Sequence, residues 1–195
     1  MDIRMGQKQD AVIFARLHKQ EISQGFLSTL PTAFLQQLYE AILTFPGGVV
    51  VAACEGTKVI GFVAGVSSAS DFYRYFFRNY MISGFFVLLK RLGNIGTIRR
   101  IIEVLLYPKK EHHVSEAELL TIAVAHEHQG KGVAGKMLPV FVEGMKQQHI
   151  TTFKVLVGEE LAHAIRFYEK SGFQFLRNTS VHGNKVSRVY IYDIH

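Results

Sequence analysis

The stretch Thr121–Leu138, TIAVAHEHQGKGVAGKML, carries the residues best suited to chemistry. A β-rich run ends at Val124, a turn follows, and Gln129-Gly130-Lys131-Gly132-Val133-Ala134 opens a helix. The first turn of a helix has N–H groups without intrahelical partners and a partial positive charge, so it receives anions. Glycines at 130 and 132 let a phosphate approach the main chain because no Cβ stands in the way, and Ala134 keeps the next turn open. This is not a Walker A loop, which would end Gly-Lys-Ser/Thr; here Val133 follows Gly132. The letters G-x-G-x-x-G do occur at Gly130, Gly132 and Gly135. A dinucleotide site, however, wants an acidic residue about 20 positions further on, and Glu143 is too near and falls on the helix.

Other chemistries find less support. The nine histidines include His126-x-His128 and the pair His112-His113, but neither has a convincing third and fourth ligand, so no metal is expected. Cys54 lies in an apolar run and reads as a buried, inert thiol. No G-x-S-x-G elbow supports a serine hydrolase.

Positioning the glycine loop requires an α/β scaffold. A short strand is expected at Ile3–Met5 and a helix from Asp10, with Asp10 as its cap. A second helix begins at Pro31 and ends before Pro46-Gly47-Gly48. Val49–Cys54 and Lys58–Val66 read as a hairpin. Glu118–Val124 is a buried strand, followed by a helix from about Gly130 to Gln148 that Pro139 should kink. Thr152–Val157 is the next strand, Glu160–Lys170 a helix stopped by Ser171-Gly172, and Phe173–Val181 with Lys185–Tyr192 a closing hairpin. The C-terminal half therefore reads β-α-β-α-β-β.

At 195 residues, with 48% hydrophobic and 19% charged residues, the chain suits one folded domain, 1–195. The single cysteine excludes an internal disulfide framework. The N-terminus has no secretory h-region, and the longest apolar run, Met81–Leu89, is far shorter than the roughly 20 residues that span a bilayer. A cytoplasmic protein without stable membrane insertion is expected. The whole net charge of +6 falls between Ser70 and Lys110.

Two motifs give the chain a family resemblance. Gln129-Gly130-Lys131-Gly132-Val133-Ala134 matches the Gln/Arg-x-x-Gly-x-Gly/Ala signature of the Gcn5-related N-acetyltransferases (GNAT), and Phe167-Tyr168-Glu169-Lys170-Ser171-Gly172-Phe173 matches a helix end typical of them. The resemblance implies the acyl-CoA N-acyltransferase fold, a mixed, twisted sheet of about six or seven strands flanked by four main helices. It also implies direct transfer of acetyl from acetyl-CoA to a primary amine. Backbone N–H groups of Gln129, Gly130, Lys131, Gly132, Val133 and Ala134 would bind the CoA pyrophosphate. The backbone of Ile122 and Val124 would pair with the pantetheine, and an N–H near Ala123 would polarise the thioester carbonyl. Tyr168 would protonate the departing thiolate; a phenol with pKa near 10 still holds its proton at neutral pH. Glu118 is the choice for general base, ahead of Glu116, His112 and His113. Strict alternation puts Glu116, Glu118, Leu120, Ile122 and Val124 on one face, unless the bulge frequent in the family intervenes. Leu161 stands where the family often has an asparagine that holds the pantetheine.

Residues 71–107 match nothing in that family. Nine of the chain's 23 aromatic residues lie there, with helical spacing and basic outer faces. We expect two or three helices broken at Gly84, Gly93 and Gly96 and ended by Pro108: a helical insertion. It either covers the sheet or forms a lid whose Arg74, Arg78, Arg99 or Arg100 bind an acidic or phosphorylated substrate. A homodimer or membrane surface is a further reading of the segment, and nucleic acid is not an expected partner. The expected acceptor is a small-molecule amine, such as an amino sugar or its nucleotide derivative, ahead of a peptide or protein. A module that binds CoA or acyl-CoA without turnover is the rival reading.

Overall fold

The computed structural model describes residues 1–22, 27–92, 115–182 and 185–195. Seven strands form one mixed sheet in the order β1-β2-β3-β4-β5-β7-β6. They are β1 Asp2–Met5, β2 Gly48–Glu55, β3 Lys58–Val66, β4 Glu118–Val124, β5 Thr152–Gly158, β6 Gln174–His182 and β7 Lys185–Asp193. The described helices are α1 Ala11–Glu21, α2 Thr32–Thr44, α3 Ala69–Leu92, α4 Val133–Gln147 and α5 Ala162–Lys170. Every neighbouring pair in the sheet is antiparallel except β4 with β5.

Alternation along the strands builds two cores, one on each face. Val50, Ala52 and Cys54 of β2 join Phe14, Leu35, Tyr39 and Phe72 under α1, α2 and α3. Val49, Val51 and Ala53 join Met137, Phe141, Ile165 and Tyr168 under α4 and α5. Pro31 precedes the first turn of α2, with fixed φ and no N–H to satisfy. Asp10 stands at the head of α1, but its carboxylate pairs with Arg4 at 2.7 Å and accepts the Gln7 N–H at 2.8 Å instead of capping that helix.

Two expectations change, and one left open is decided. Helix α3 runs unbroken for 24 residues through Gly84, since an interior glycine costs only about 1 kcal/mol, which neighbouring turns absorb. The expected breaks at Gly93 and Gly96, and the rest of the expected insertion to 107, lie outside the described residues. Helix α4 starts at Val133 rather than Gly130 because Gly130 and Gly132 have φ of +73° and +76°. It continues past Pro139, where the Gly135 carbonyl lacks its usual donor. Finally, β4 carries a bulge. Ala64 faces Thr121 but Gly65 faces Leu119, leaving Leu120 as the extra residue. Side-chain parity flips there: Leu120 and Ala123 pack in the α1–α3 core, whereas Leu119, Ile122 and Val124 pack in the α4–α5 core. Glu118 thus parts company with Ile122 and Val124.

His18 of α1 is buried, with Nδ1 2.6 Å from the Tyr39 hydroxyl, which in turn donates to Thr121 Oγ1 at 3.4 Å. Burial, and secondarily the charge of Lys19, lowers its pKa from 6.5 to about 4. The folded state therefore binds this proton less readily than the unfolded chain. The stability it contributes is present above the unfolded value and is lost as pH falls toward the folded one, by about 3 kcal/mol at most. Urea midpoints measured near pH 7 and about pH 4.5 should differ, and His18→Gln should shrink the difference. An unchanged difference in that variant would contradict the buried neutral imidazole.

Candidate active site

Parallel strands β4 and β5 share only two register pairs, Glu118↔Lys154 and Leu119↔Val155. Beyond them the strands part. Strand β4 continues to Val124 along β3, and β5 continues to Gly158 along β7. Two strand edges thus face each other across a gap without bonding.

Which main-chain groups point into that gap follows from the β3–β4 ladder. The Ala125 N–H donates to the Ile60 carbonyl at 2.8 Å. In an antiparallel pair, bonded and non-bonded positions alternate. Ala123 therefore directs its N–H and C=O at Phe62 of β3, and Ile122 and Val124 direct theirs into the gap. The Val124 carbonyl is met there by the Gln129 side chain, whose Nε2 lies 2.9 Å away.

The glycine loop lies at the end of this edge. A 3₁₀ turn at His126–His128 leads through Gln129 into Gly130 and Gly132, and α4 opens on Gly132 with no side-chain cap. The first-turn donors are thus left for another partner. A Cβ built at Gly130, Gly132 or Gly135 would meet nothing within 4 Å, so the concave side of the loop is open. The positive φ explains why residues 130 and 132 are glycine, and the open space fits an approaching phosphate.

Tyr168 is fixed by the way α5 stops. Gly172 has φ of +92°, its N–H reaches the Glu169 carbonyl at 3.2 Å, and the Phe173 N–H reaches the Tyr168 carbonyl at 3.1 Å. This is a Schellman ending, and its usual apolar contact is made by Phe173 on the Tyr168 ring, with centroids 5.0 Å apart. Glu169 accepts the Tyr190 hydroxyl at 2.9 Å and ties the helix end to β7. The Phe-Tyr-Glu-Lys-Ser-Gly-Phe motif is therefore a helix stop that holds one tyrosine. Tyr168 is buried, which raises its pKa above the usual tyrosine value, and its hydroxyl has no hydrogen-bond partner among the described residues.

The remaining candidates are more scattered. Glu118 turns toward the α1–α3 side, with the buried Lys154 ammonium 4.0 Å from its carboxylate. There it adds, after burial, to what raises the Tyr73 pKa. Arg74 and Arg78 stand on the exposed face of α3, and Arg74 pairs with Asp71 on its own helix at 3.0 Å. Leu161 is the residue before α5 and packs in the α4–α5 core. Among the described residues no group of three His, Cys, Asp or Glu side chains is placed to hold a metal ion, and no helix is long and apolar enough to cross a membrane. Sequence reasoning missed Lys154 and Glu21. Glu21, the last residue of α1, accepts hydrogen bonds from both the His126 N–H and the Gln129 side chain. No local pattern marks either residue, because their partners come from distant strands and loops.

A mixed sheet of seven strands flanked by helices matches the acyl-CoA N-acyltransferase fold. The sequence matches the Acetyltransferase (GNAT) family over residues 18–173, and the chain belongs to that family. It is an acetyl-CoA-dependent N-acetyltransferase. No curated protein matches the sequence. In fold the chain is similar to the Salmonella typhimurium protein yncA with its cofactor acetyl-CoA, at TM-score 0.64 and 15% identity over 100% of this chain and 94% of that one. An N-acetyltransferase from Staphylococcus aureus Mu50 gives 0.63 and 16% over 98% and 100%. The ribosomal-protein-S18-alanine N-acetyltransferase from Escherichia coli gives 0.62 and 12% over 99% and 93%. At these identities the likeness is one of fold.

Gly132→Ala tests the loop. Left-handed backbone costs an alanine about 1 kcal/mol or slightly more, so the melting temperature should fall modestly. The new methyl group would also enter the open side of the loop, and affinity for CoA should fall about tenfold or more. Unchanged affinity measured by calorimetry would remove the loop from the donor site.

Proposed function

We propose that the β4–β5 gap receives the pantetheine arm of acetyl-CoA and that the loop at 129–134 holds its diphosphate. The observation that carries this reading is the early end of the β4–β5 ladder, which leaves the N–H and C=O of Ile122 and the N–H of Val124 facing an unbonded edge, the Val124 carbonyl being held by Gln129. An arm bearing amide groups can complete those bonds as an added strand would. The N–H that polarises the thioester carbonyl is then that of Ile122, next to Ala123, because Ala123 directs its own at β3.

In this reading the acceptor's neutral amine attacks the carbonyl carbon, the C–S bond breaks, and the amide forms. The departing sulfur takes its proton from the Tyr168 hydroxyl. Burial keeps that hydroxyl protonated, and the same dry surroundings raise the proton affinity of a thiolate formed beside it, so the transfer is not opposed by burial alone. The proton lost from nitrogen goes to Glu118, whose side chain is on the α1–α3 side of the gap. A lysine-like amine, with pKa about 10.4, is neutral in only roughly one molecule in a few thousand at pH 7, so such an acceptor needs that base.

The acceptor in this reading is a primary amine on a small molecule, with amino sugars and their nucleotide derivatives as the first class to assay. Arg74 and Arg78 would serve a phosphorylated acceptor only from the exposed face of α3. A panel of amino sugars, nucleotide-linked amino sugars, polyamines and peptide N-termini, read by release of free thiol, separates these acceptors. No turnover with any amine despite CoA binding would favour a non-catalytic module.

Tyr168→Phe should lower kcat by about 100-fold, the lower end of what a positioned acid contributes, while CoA affinity stays within twofold of wild type. In the wild type, no loss of rate from this group should appear as pH rises from 7 to about 10, because burial lifts its pKa above the ordinary tyrosine value. Unchanged kcat in the variant would remove Tyr168 from the acid role.

A further inference from the structure

Glu21 and the glycine loop are far apart in sequence, yet they meet at the mouth of the gap. The Glu21 carboxylate uses both oxygens: Oε1 accepts the His126 N–H at 3.1 Å, and Oε2 accepts Gln129 Nε2 at 3.0 Å. The same Gln129 nitrogen donates its second hydrogen to the Val124 carbonyl at 2.9 Å. A primary amide nitrogen has two hydrogens, and both are thereby committed. The end of α1, the start of the loop and the last residue of β4 are joined through one side chain. Gln129 immediately precedes Gly130, whose left-handed backbone begins the turn into α4. Holding Gln129 therefore sets the direction in which the loop's N–H groups point.

The geometry points to Glu21 as a positioning residue for the acyl donor: it acts through Gln129 and His126 to hold the diphosphate loop in its binding shape. This inference rests on the proposed donor site. A carboxylate near an anion site would by itself repel a diphosphate. Its presence there is accounted for by the two loop donors it fixes, which face it rather than the open side of the glycines. Glutamine at position 21 would keep one acceptor and lose the other, and alanine would lose both.

The test compares wild type with Glu21→Ala and Glu21→Gln. Calorimetry with CoA should show affinity about tenfold weaker in Glu21→Ala, as expected for two partly exposed charge-assisted bonds, with Glu21→Gln in between. Hydrogen exchange of the His126 amide in the ligand-free protein should accelerate in Glu21→Ala. In turnover, the KM for acetyl-CoA should rise by a similar factor with saturated kcat and acceptor KM unchanged. With S-acetyl-pantetheine, which lacks the diphosphate, Glu21→Ala and wild type should be equal. Equal CoA affinity in wild type and Glu21→Ala would overturn the inference, as would an equal loss with the truncated donor. Failure of wild type itself to bind CoA would overturn the donor site and this inference together.

Discussion

Main-chain donors and acceptors must be satisfied, and the β4–β5 gap is where the sheet leaves them open. Paired strands lie about 4.8 Å apart and complete each other's hydrogen bonds. Here the pairing ends after Leu119 and Val155, while both strands continue, each held on its other side by β3 or β7. The two cores keep them apart. Phe153 and Val155 anchor β5 in the α4–α5 core, and Ala123 fixes the far end of β4 under α1 and α2. The bulge at Leu120 then rotates β4, so that Ile122 and Val124 pack half-buried side chains on one face and turn their main-chain groups sideways. A ligand with amide groups of its own suits that slot.

The two family motifs are built by related physics. One is the start of a helix and one is the end. At the start of α4, glycines in left-handed conformation leave the first-turn N–H groups uncapped and the approach open. At the end of α5, a left-handed glycine closes a Schellman turn, and the residue after it clamps the tyrosine ring. In both cases the glycine's conformation, and not its chemistry, decides where the neighbouring groups sit.

Much of this was legible in the sequence. Alternating and β-branched runs located every strand, and Ser171-Gly172 marked the end of α5, because these signals lie within a few residues of what they specify. The family resemblance allowed for a bulge in β4, but its position at Leu120 was not legible, since it exists only in the register between β3 and β4. Strict alternation alone would have put Glu118 and Ile122 on one face, and the bulge separates them. Gly84 suggested a break that the helix does not make, because one residue's propensity is weaker than 24 residues of cooperative bonding. Asp10 looked like a cap until Arg4, across the turn from β1, offered a stronger partner. Glu21 had no signal at all, as its two partners lie 105 and 108 residues away.

Ile122 and Val124 turn main-chain N–H groups into the gap while Ala123 turns its own to β3. Amide-resolved hydrogen exchange, with and without CoA, reads this directly. Binding should slow exchange at Ile122, at Val124 and along the first turn of α4, and should leave Ala123, already bonded to β3, unchanged. Slowed exchange elsewhere with Ile122 and Val124 unaffected would contradict the account.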